Sequence, residues 1–330
     1  MANNYGLTNA QMVDYLGLPQ DIITALQTAQ GQEFTAVSNQ FLSALVNKIV
    51  YQSVDSMEFS NPFKKFDGRP INYGETIENI FVEMPQGYKF DPNATNPFAK
   101  KKPSVKTLYA SINYDMQYKI TIEDSLLRRA ALNEYGFMNL IDTILAQLQK
   151  RVSLDEYFAT IGMLNNEDIY AAGFEEISVS SNKKERAEKV TRTIINTMSR
   201  FTLPGNGNNA LGVLQSSRKE DVLLIIKAEL LNDINLDYLA GVYNLSKVDL
   251  LSQIIPIDSF VTTNASGESQ GTDIDFVMLD TKGFDIHTNL QDGGMIYNPE
   301  GKYTNHYANL WKVLSFKYFY NARAYKLVTA

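Results

Sequence analysis

The most regular hydrophobic pattern in the chain is the stretch TLYASINYDMQYKITI, residues 107–122. Every even position from Leu108 to Ile122 is apolar, whereas the odd positions are polar except Tyr109. This period of two predicts a strand with one buried and one solvated face. At about 3.3 Å per residue, an unbroken strand would be roughly 50 Å long. A compact chain of this length has a radius of gyration of about 20 Å, so the strand would be as long as the molecule is wide.

Helical spacing of apolar residues dominates two other regions. Residues 1–56 are predicted to be helical, because Phe34, Phe41 and Ile49 belong to one apolar stripe. A second helix is predicted over 122–161, about 60 Å at 1.5 Å per residue, with Thr121 as its N-cap and a bend or break at Gly136. The predicted core positions of this second helix recur at three- and four-residue spacing: Leu140, Ile141, Ile144, Leu145 and Leu148.

Prolines concentrate between these two helical regions. Six of the ten prolines lie in residues 61–105, which excludes a long helix there. We interpret this segment as an extended arm, with one strand near 77–84, an irregular tip near 87–103, and a return strand that begins the alternating stretch.

The rest of the chain mixes helix and strand patterns. A helix is predicted over 183–201, and another over VLLIIKAELL, where Ser217 and Glu220 have capping-box spacing. Short strands are predicted at EEISVS, SQIIPID and DFVMLD, and one long terminal strand at NLWKVLSFKYFYNARAYKLV. The loop LPGNGNN, residues 203–209, is the best candidate domain boundary, since Pro, Gly and Asn cluster there.

Composition narrows the class of protein. With 330 residues, 44% hydrophobic and 20% charged, the chain has the make-up of an ordinary soluble protein, and no segment approaches the 18 or so apolar residues of a membrane span. There are no cysteines, which excludes disulfides and thiolate metal sites. The net charge of −7 argues against a surface dedicated to binding nucleic acid, because contacts with phosphates need positive charge.

The sequence offers few candidates for catalytic, cofactor-binding or metal-ligating residues. His287 and His306 are the only histidines, and each is interpreted as an incidental structural or surface residue. Asp273 and Asp275 could bind a divalent cation, but two carboxylates alone make a weak site, and solvated acids at a strand start explain them as well. The formal G-x-G-x-x-A pattern lacks a preceding strand and a following helix, so we interpret it as a turn: Gly205, Gly207 and Ala210. The sequence therefore predicts no catalytic, cofactor or metal site.

The arm differs in charge from the rest of the chain. Residues 61–105 contain seven basic and five acidic residues, a net of +2, so the remainder carries −9. The lysine run Lys100, Lys101 and Lys102 lies at the predicted tip. A solvated loop would explain it, but the tip could instead contact the acidic surface of another copy, where complementary charge sets register and orientation.

The order of these elements resembles the major capsid proteins of tailed bacteriophages, with the Hong Kong 97-like fold. The likeness is greatest from Tyr114 to Gly162, where an extended loop passes into a long helix that ends in DEYFATIG, and it is looser at FVMLDTKGFDI and KVLSFKYFYNARAYK. The resemblance implies an α+β fold with a helical N-terminal arm at 1–56, an extended loop at 57–106, a peripheral domain at 107–204 plus 309–330 that contains a spine helix at 122–161, and an axial domain at 205–308.

The same resemblance implies a structural function. The chain is expected to self-assemble as pentamers and hexamers of an icosahedral virion shell, built in the host cytoplasm around double-stranded DNA, with a portal and a separate scaffolding protein and with possible decoration proteins. No enzyme activity, cofactor or membrane is expected. Candidates for contact between subunits are the three tip lysines, Phe98, Leu108, Ile112 and Tyr114.

Two alternatives remain open from the sequence. An encapsulin-like compartment would share the fold but enclose enzymes. A hydrolase or small-molecule-binding protein would need a convergent set of polar residues, which the sequence does not show.

Overall fold

The computed structural model describes residues 59–72, 74–90, 92, 100–123, 136–234, 253–263 and 269–329. At residues 136–142 and 145 it describes the backbone but not the side chains. The predicted N-terminal helical arm, the first part of the predicted spine helix after Glu123, and Phe98 lie outside these residues. The chain divides into two compact units. One comprises 1–59, 118–151 and 293–308, and the other comprises 60–117, 152–292 and 309–330.

The described residues form both α-helices and β-strands. The helices are α1 (Gly136–Leu164), α2 (Lys183–Thr202) and α3 (Ala228–Asp233). The strands are β1 (Ile77–Val82), β2 (Val105–Ala110), β3 (Tyr114–Glu123), β4 (Phe174–Val179), β5 (Val222–Lys227), β6 (Ile254–Ile257), β7 (Thr262–Thr263), β8 (Ser269–Gln270), β9 (Phe276–Asp280), β10 (Phe284–Asn298), β11 (Tyr303–Phe316) and β12 (Ala322–Thr329).

A five-stranded mixed sheet forms the centre of the second unit. Its strand order is β4-β12-β9-β5-β6, with parallel pairs at the two edges and antiparallel pairs in the middle. Strands were predicted from the sequence at the positions of β4, β6 and β9, and all three are confirmed.

Both faces of this sheet are covered by helices of the same unit. Leu224 and Ile226 of β5 point towards α2, whose buried face includes Ile194 and Phe201. Leu223 and Ile225 point to the other face, where the C-terminal end of α1 packs. Side chains alternate across a strand, so a strand covered on both faces is apolar at every position.

The prediction of a helix over VLLIIKAELL is wrong for its first six residues. Val222–Lys227 is the central strand β5, and only the short helix α3 follows it. Five consecutive side chains of this segment are buried, so it has no solvent-exposed face. This is typical of a strand covered on both faces, whereas an amphipathic helix would expose one face to solvent. Ser217, the predicted helix cap, is buried and accepts a hydrogen bond from the side-chain nitrogen of Asn321 at 3.0 Å.

The alternating stretch is two strands rather than one. β2 ends at Ala110 and β3 begins at Tyr114, so the break falls at residues 111–113. β3 continues through Glu123, which contradicts a helix that begins at residue 122 with Thr121 as its N-cap. The Thr121 hydroxyl instead donates to Asn305 Oδ1 at 2.7 Å. The described helix α1 begins at Gly136.

The terminal aromatic-rich segment is also two strands. β11 ends at Phe316 and β12 begins at Ala322, and these strands belong to different sheets: β11 lies between β10 and β3 in a three-stranded sheet. In the turn between them, the backbone N–H of Lys317 donates to the carbonyl of Gly283. The single long strand predicted from the sequence is therefore wrong.

The loop LPGNGNN lies within the second unit. Asn208 and Asn209 are buried there, and the Asn208 carbonyl accepts a hydrogen bond from the backbone of Ala322 in β12. Strands from the predicted peripheral and axial regions share the five-stranded sheet. The four-region division stays a prediction.

Candidate assembly surface

Strands β1 and β2 form an antiparallel hairpin with six paired positions, from Ile77 opposite Ala110 to Val82 opposite Val105. The register places Ile80 and Val82 of β1 on the same face as Val105 and Tyr109 of β2, and Asn79 and Phe81 on the opposite face. We call the two faces of this hairpin the inner face and the outer face. The strand predicted near 77–84 is confirmed as β1.

The inner face contacts the chain's own second unit. Asn79 donates from its side-chain nitrogen to Asp285 Oδ2 at 2.6 Å. The ring of Phe81 stacks on that of Phe319 with a centroid separation of 5.3 Å. The Lys106 ammonium donates to the carbonyl of Leu211 at 2.6 Å. These contacts set which face of the hairpin is turned inward.

The outer face is apolar and open to solvent. Its exposed fractions are 55% for Ile80, 57% for Val82, 51% for Val105 and 71% for Tyr109. The Tyr109 hydroxyl donates to Glu78 Oε1 at 3.0 Å, and this hydrogen bond to a carboxylate raises the pKa of the phenol. Four neighbouring apolar side chains on one two-stranded surface form a patch of the kind that marks a protein contact.

The described part of the arm tip combines exposed aromatic rings with lysines. Tyr88 is 77% exposed and Phe90 is 83% exposed. The Lys101 ammonium lies 3.5 Å from the centroid of the Tyr88 ring. Lys100, Lys101 and Lys102 are all exposed. The tip therefore presents positive charge next to apolar surface.

Of the predicted contact residues, Leu108 lies on the inner face of the hairpin, opposite the exposed patch. Leu108 and Ile112 are half-buried in the second unit, and half-buried Tyr114 packs against its core. Ala110, at 7% exposed, is buried. Their roles between subunits stay predictions. Sequence reasoning missed Ile80, Val82 and Tyr109 as an exposed set, although Tyr109 was the one apolar residue at an odd position.

The predicted core of the spine helix is described at two positions. Ile144 and Leu148 of α1 are half-buried, while the side chains of Leu140, Ile141 and Leu145 lie outside the described part. Their role as the helix core stays a prediction.

Three of the remaining polar candidates, Asp273, Asp275 and His287, have structural partners. Burial opposes the charge of Lys227, but hydrogen bonds to Asp273 and Asp275 raise the pKa of this ammonium, and its nitrogen lies 2.7 and 3.0 Å from the two carboxylates. The ring of His287 lies 2.7 Å from the carbonyl of Arg69. No group of metal-ligating side chains occurs among the described residues.

Asp280, at the end of β9, has a buried carboxyl group. Burial raises the pKa of Asp280, and its Oδ1 accepts from the backbone of Lys282 at 2.9 Å, which caps the short 3-10 helix at Thr281–Gly283. Among the described helices, none combines the length and apolar character that a bilayer-spanning segment needs.

The solved structures to which this chain is similar include phage capsids. The chain is similar to the capsid protein of Staphylococcus phage Andhra, with a TM-score of 0.65 at 13% identity, covering 85% of this chain and 88% of that one. It is also similar to the capsid protein of cyanophage P-SCSP1u, with a TM-score of 0.58 at 10% identity and coverage of 96% and 98%. The fold is therefore an α+β capsid fold.

The family is shown by sequence. Residues 19–326 match the Phi29-like phage major capsid protein family, and the chain belongs to it. The major capsid protein of Bacillus phage PZA is 26% identical over 92% of this chain and 72% of its own length. That of Bacillus phage B103 is 30% identical over 88% of this chain and 64% of its own length, which is less than two thirds. These relatives are structural proteins of the capsid and not enzymes.

Proposed function

We propose that this chain assembles into an icosahedral shell, with the outer face of the β1–β2 hairpin covered by another copy. The observation that carries the proposal is the exposed apolar patch of Ile80, Val82, Val105 and Tyr109 on a member of a major capsid family. An isolated two-stranded hairpin is marginally stable in water, and its outer face needs a partner to become fully buried. In a shell of identical subunits, every hairpin meets a neighbour that can supply one.

Charge supports the same arrangement. The arm carries +2 over residues 61–105 and the remainder carries −9, so the basic tip is attracted to the body of another copy. Exposed charges of this kind mainly guide encounter and fix register, and they weaken as salt rises. The tip lysines therefore fit a role in orientation, while the apolar outer face supplies the buried area.

The finer features of the proposal follow the resemblance. We infer pentamers and hexamers that enclose double-stranded DNA in the virion, assembled in the host cytoplasm with a portal and a separate scaffolding protein and with possible decoration proteins. Leu108, Ile112 and Tyr114 remain candidate contact residues, together with Phe98. The predicted arm, extended loop, peripheral domain and axial domain provide the working description of the subunit.

Electron microscopy of purified protein and of cell lysate tests the proposal. Closed shells or capsomers are the expected result. A protein that stays monomeric at high concentration contradicts it. The DNA content of purified shells separates a DNA-filled capsid from an encapsulin-like compartment, which would contain an enzyme instead.

Reversal of the tip charge tests the role of the lysines. We expect Lys100→Glu, Lys101→Glu and Lys102→Glu together to reduce shell yield while the subunit remains folded, because the exposed lysines have no buried contacts to lose. The matched control changes the same three lysines to arginine, which keeps the charge and should keep the yield. Unchanged yield in the glutamate variant would remove the role assigned to the tip.

A further inference from the structure

We propose that Lys312 is a positioning residue for the extended arm, which in the structure is bounded by Asp67 and Asn113. Its buried ammonium group and its main-chain carbonyl hold the two ends of the arm at one point of β11. The consequence for assembly rests on the proposed function, but the placement of the arm itself can be measured in the unassembled subunit.

The first end of the arm is held by the side chain of Lys312. Its ammonium nitrogen lies 2.9 Å from Asp67 Oδ2 and 3.0 Å from Glu156 Oε1. Asp67 is the first residue of the arm, directly after a short 3-10 helix at Pro62–Phe66, and Glu156 belongs to α1. One cation therefore ties the start of the arm to a strand and a helix.

The second end is held by the main chain next to the same residue. The backbone N–H of Asn113 donates to the Lys312 carbonyl at 3.3 Å. The Asn113 side chain accepts from the Leu314 N–H at 2.8 Å and donates to the Leu314 carbonyl at 2.7 Å. These three bonds act at the break between β2 and β3, where the alternating stretch leaves one strand and enters the other.

The burial of this ion group indicates a role in geometry more than in stability. Lys312 is 3% exposed and Glu156 is 7% exposed. Removing charges from water costs free energy that the attraction between them offsets only with good geometry, so buried ion pairs are often no more stabilising than apolar residues of the same size. The shared ammonium group of Lys312 instead fixes the position of Asp67 relative to Glu156, because its N–H groups must point at both carboxylates.

Beyond these two ends, contacts of the inner face also hold the hairpin, among them Asn79 with Asp285 and Phe81 with Phe319. Residues Gly68 and Ile71 continue from the first end with backbone hydrogen bonds to β10, at 2.7 and 3.0 Å. Further out, the inner face of β1 is only half-buried and the outer face is exposed. Because β1 and β2 are paired at six positions, a rotation at residues 67 and 113 would displace the outer face and the tip together.

Distance measurement between two spin labels tests the proposal. The chain has no cysteine, so Thr107→Cys on the exposed side of β2 and Asn196→Cys on the exposed side of α2 provide two clean attachment points. Labelled subunits are isolated by size exclusion and measured by double electron–electron resonance. The width of the distance distribution reports how well the arm is held.

Two single substitutions distinguish positioning from general stabilisation. Asp67→Asn releases the arm but leaves the buried Lys312–Glu156 pair balanced, and we expect the distance distribution to become about twice as broad. Glu156→Gln leaves the Lys312–Asp67 pair intact and should keep the original width. The matched control is Asp273→Asn, the same chemical change in the ion group of Lys227, which does not contact the arm.

Three results would overturn the proposal. An unchanged width in Asp67→Asn removes the role of Lys312 at the first end. Equal broadening in Asp67→Asn and Glu156→Gln, with lower melting temperatures in both, indicates a stabilising ion group rather than a positioning one. Asn113→Asp, which loses the bond donated to Leu314, tests the second end independently and is expected to broaden the distribution. An unchanged width in this variant removes the role assigned to the second end. None of these results depends on shell formation, so failure of the wild-type chain to form shells contradicts the proposed function alone.

Discussion

Strands β1 and β5 are each six residues long, are rich in branched apolar side chains and belong to the same compact unit, yet they differ in what covers them. The first five residues of β5 are buried, with α2 on one face and α1 on the other. In β1, Ile80 and Val82 are more than half exposed. The chain itself covers both faces of β5, whereas the outer face of β1 is exposed in the single chain.

This difference separates folding from assembly. Substitutions in β5 should change the stability of the subunit, because the contacts they remove are internal. Substitutions on the outer face of β1 should leave stability nearly unchanged and act on association, because their contacts form only between copies.

The largest effect on stability is expected for Ile225→Ala. Ile225 is 0% exposed in the core, and truncation of a buried isoleucine to alanine costs about 2–5 kcal/mol. Urea denaturation monitored by circular dichroism measures the change. The matched substitution Ile80→Ala in β1 should lower the free energy of unfolding far less. Similar losses at both positions would contradict the difference between the two strands.

A smaller loss is expected for Tyr325→Phe in β12. The hydroxyls of Tyr325 and Thr197 form a buried hydrogen bond of 2.6 Å, while Thr197 also donates to the Thr193 carbonyl at 2.8 Å. Because the threonine keeps one partner, loss of the phenol hydroxyl should cost about 1 kcal/mol. The same denaturation assay measures it, and a loss as large as that of Ile225→Ala would show that the bond belongs to a larger network.

The pH dependence of the buried sheet is expected to include Asp280. Burial raises the pKa of Asp280 in the folded state above its ordinary value of 3.8, so its ionisation opposes folding. Its contribution is most favourable below pH 3.8 and becomes less favourable as pH rises through the folded-state pKa. Asp280→Asn should therefore gain stability relative to wild type as pH rises. A difference in unfolding free energy that does not change with pH contradicts this.

The smallest effect on stability is expected for Ile80→Ser with Val82→Ser. Both side chains lie on the exposed outer face, so each substitution should change the free energy of unfolding by less than about 0.5 kcal/mol. Shell yield by sedimentation should nevertheless fall sharply. The control Thr107→Ser changes an exposed polar residue of the same hairpin and should assemble normally. A normal yield in the double serine variant would remove the outer face from the assembly contact.

Local patterns predicted much of this fold. The strands β1, β4, β6 and β9 and the helix α2 were predicted near their observed limits. The strand β5 was predicted as a helix, because a short apolar run that is buried on all sides has no periodicity to distinguish the two. The two strands in the terminal segment were merged because aromatic residues continue through the turn at 317–321.

The exposed face of the hairpin could not be predicted from local pattern. Alternation in β2 shows that two faces exist, but the side that turns inward depends on contacts such as Asn79 with Asp285, 206 positions apart in the chain. Leu108, Ile112 and Tyr114 of the alternating stretch were expected to meet a neighbour, and that expectation stays a prediction. The structure turns Leu108 and Ala110 towards the chain's own unit and leaves Tyr109 exposed.

We expect another copy of the chain to cover the outer face of the β1–β2 hairpin. A cryo-electron microscopy reconstruction of the assembled particle tests it most directly, through the exposure of Ile80, Val82 and Tyr109, which are 55%, 57% and 71% exposed in the single chain. We predict that all three become buried against a neighbouring copy in the shell. A closed shell in which these three side chains remain open to solvent would contradict the account.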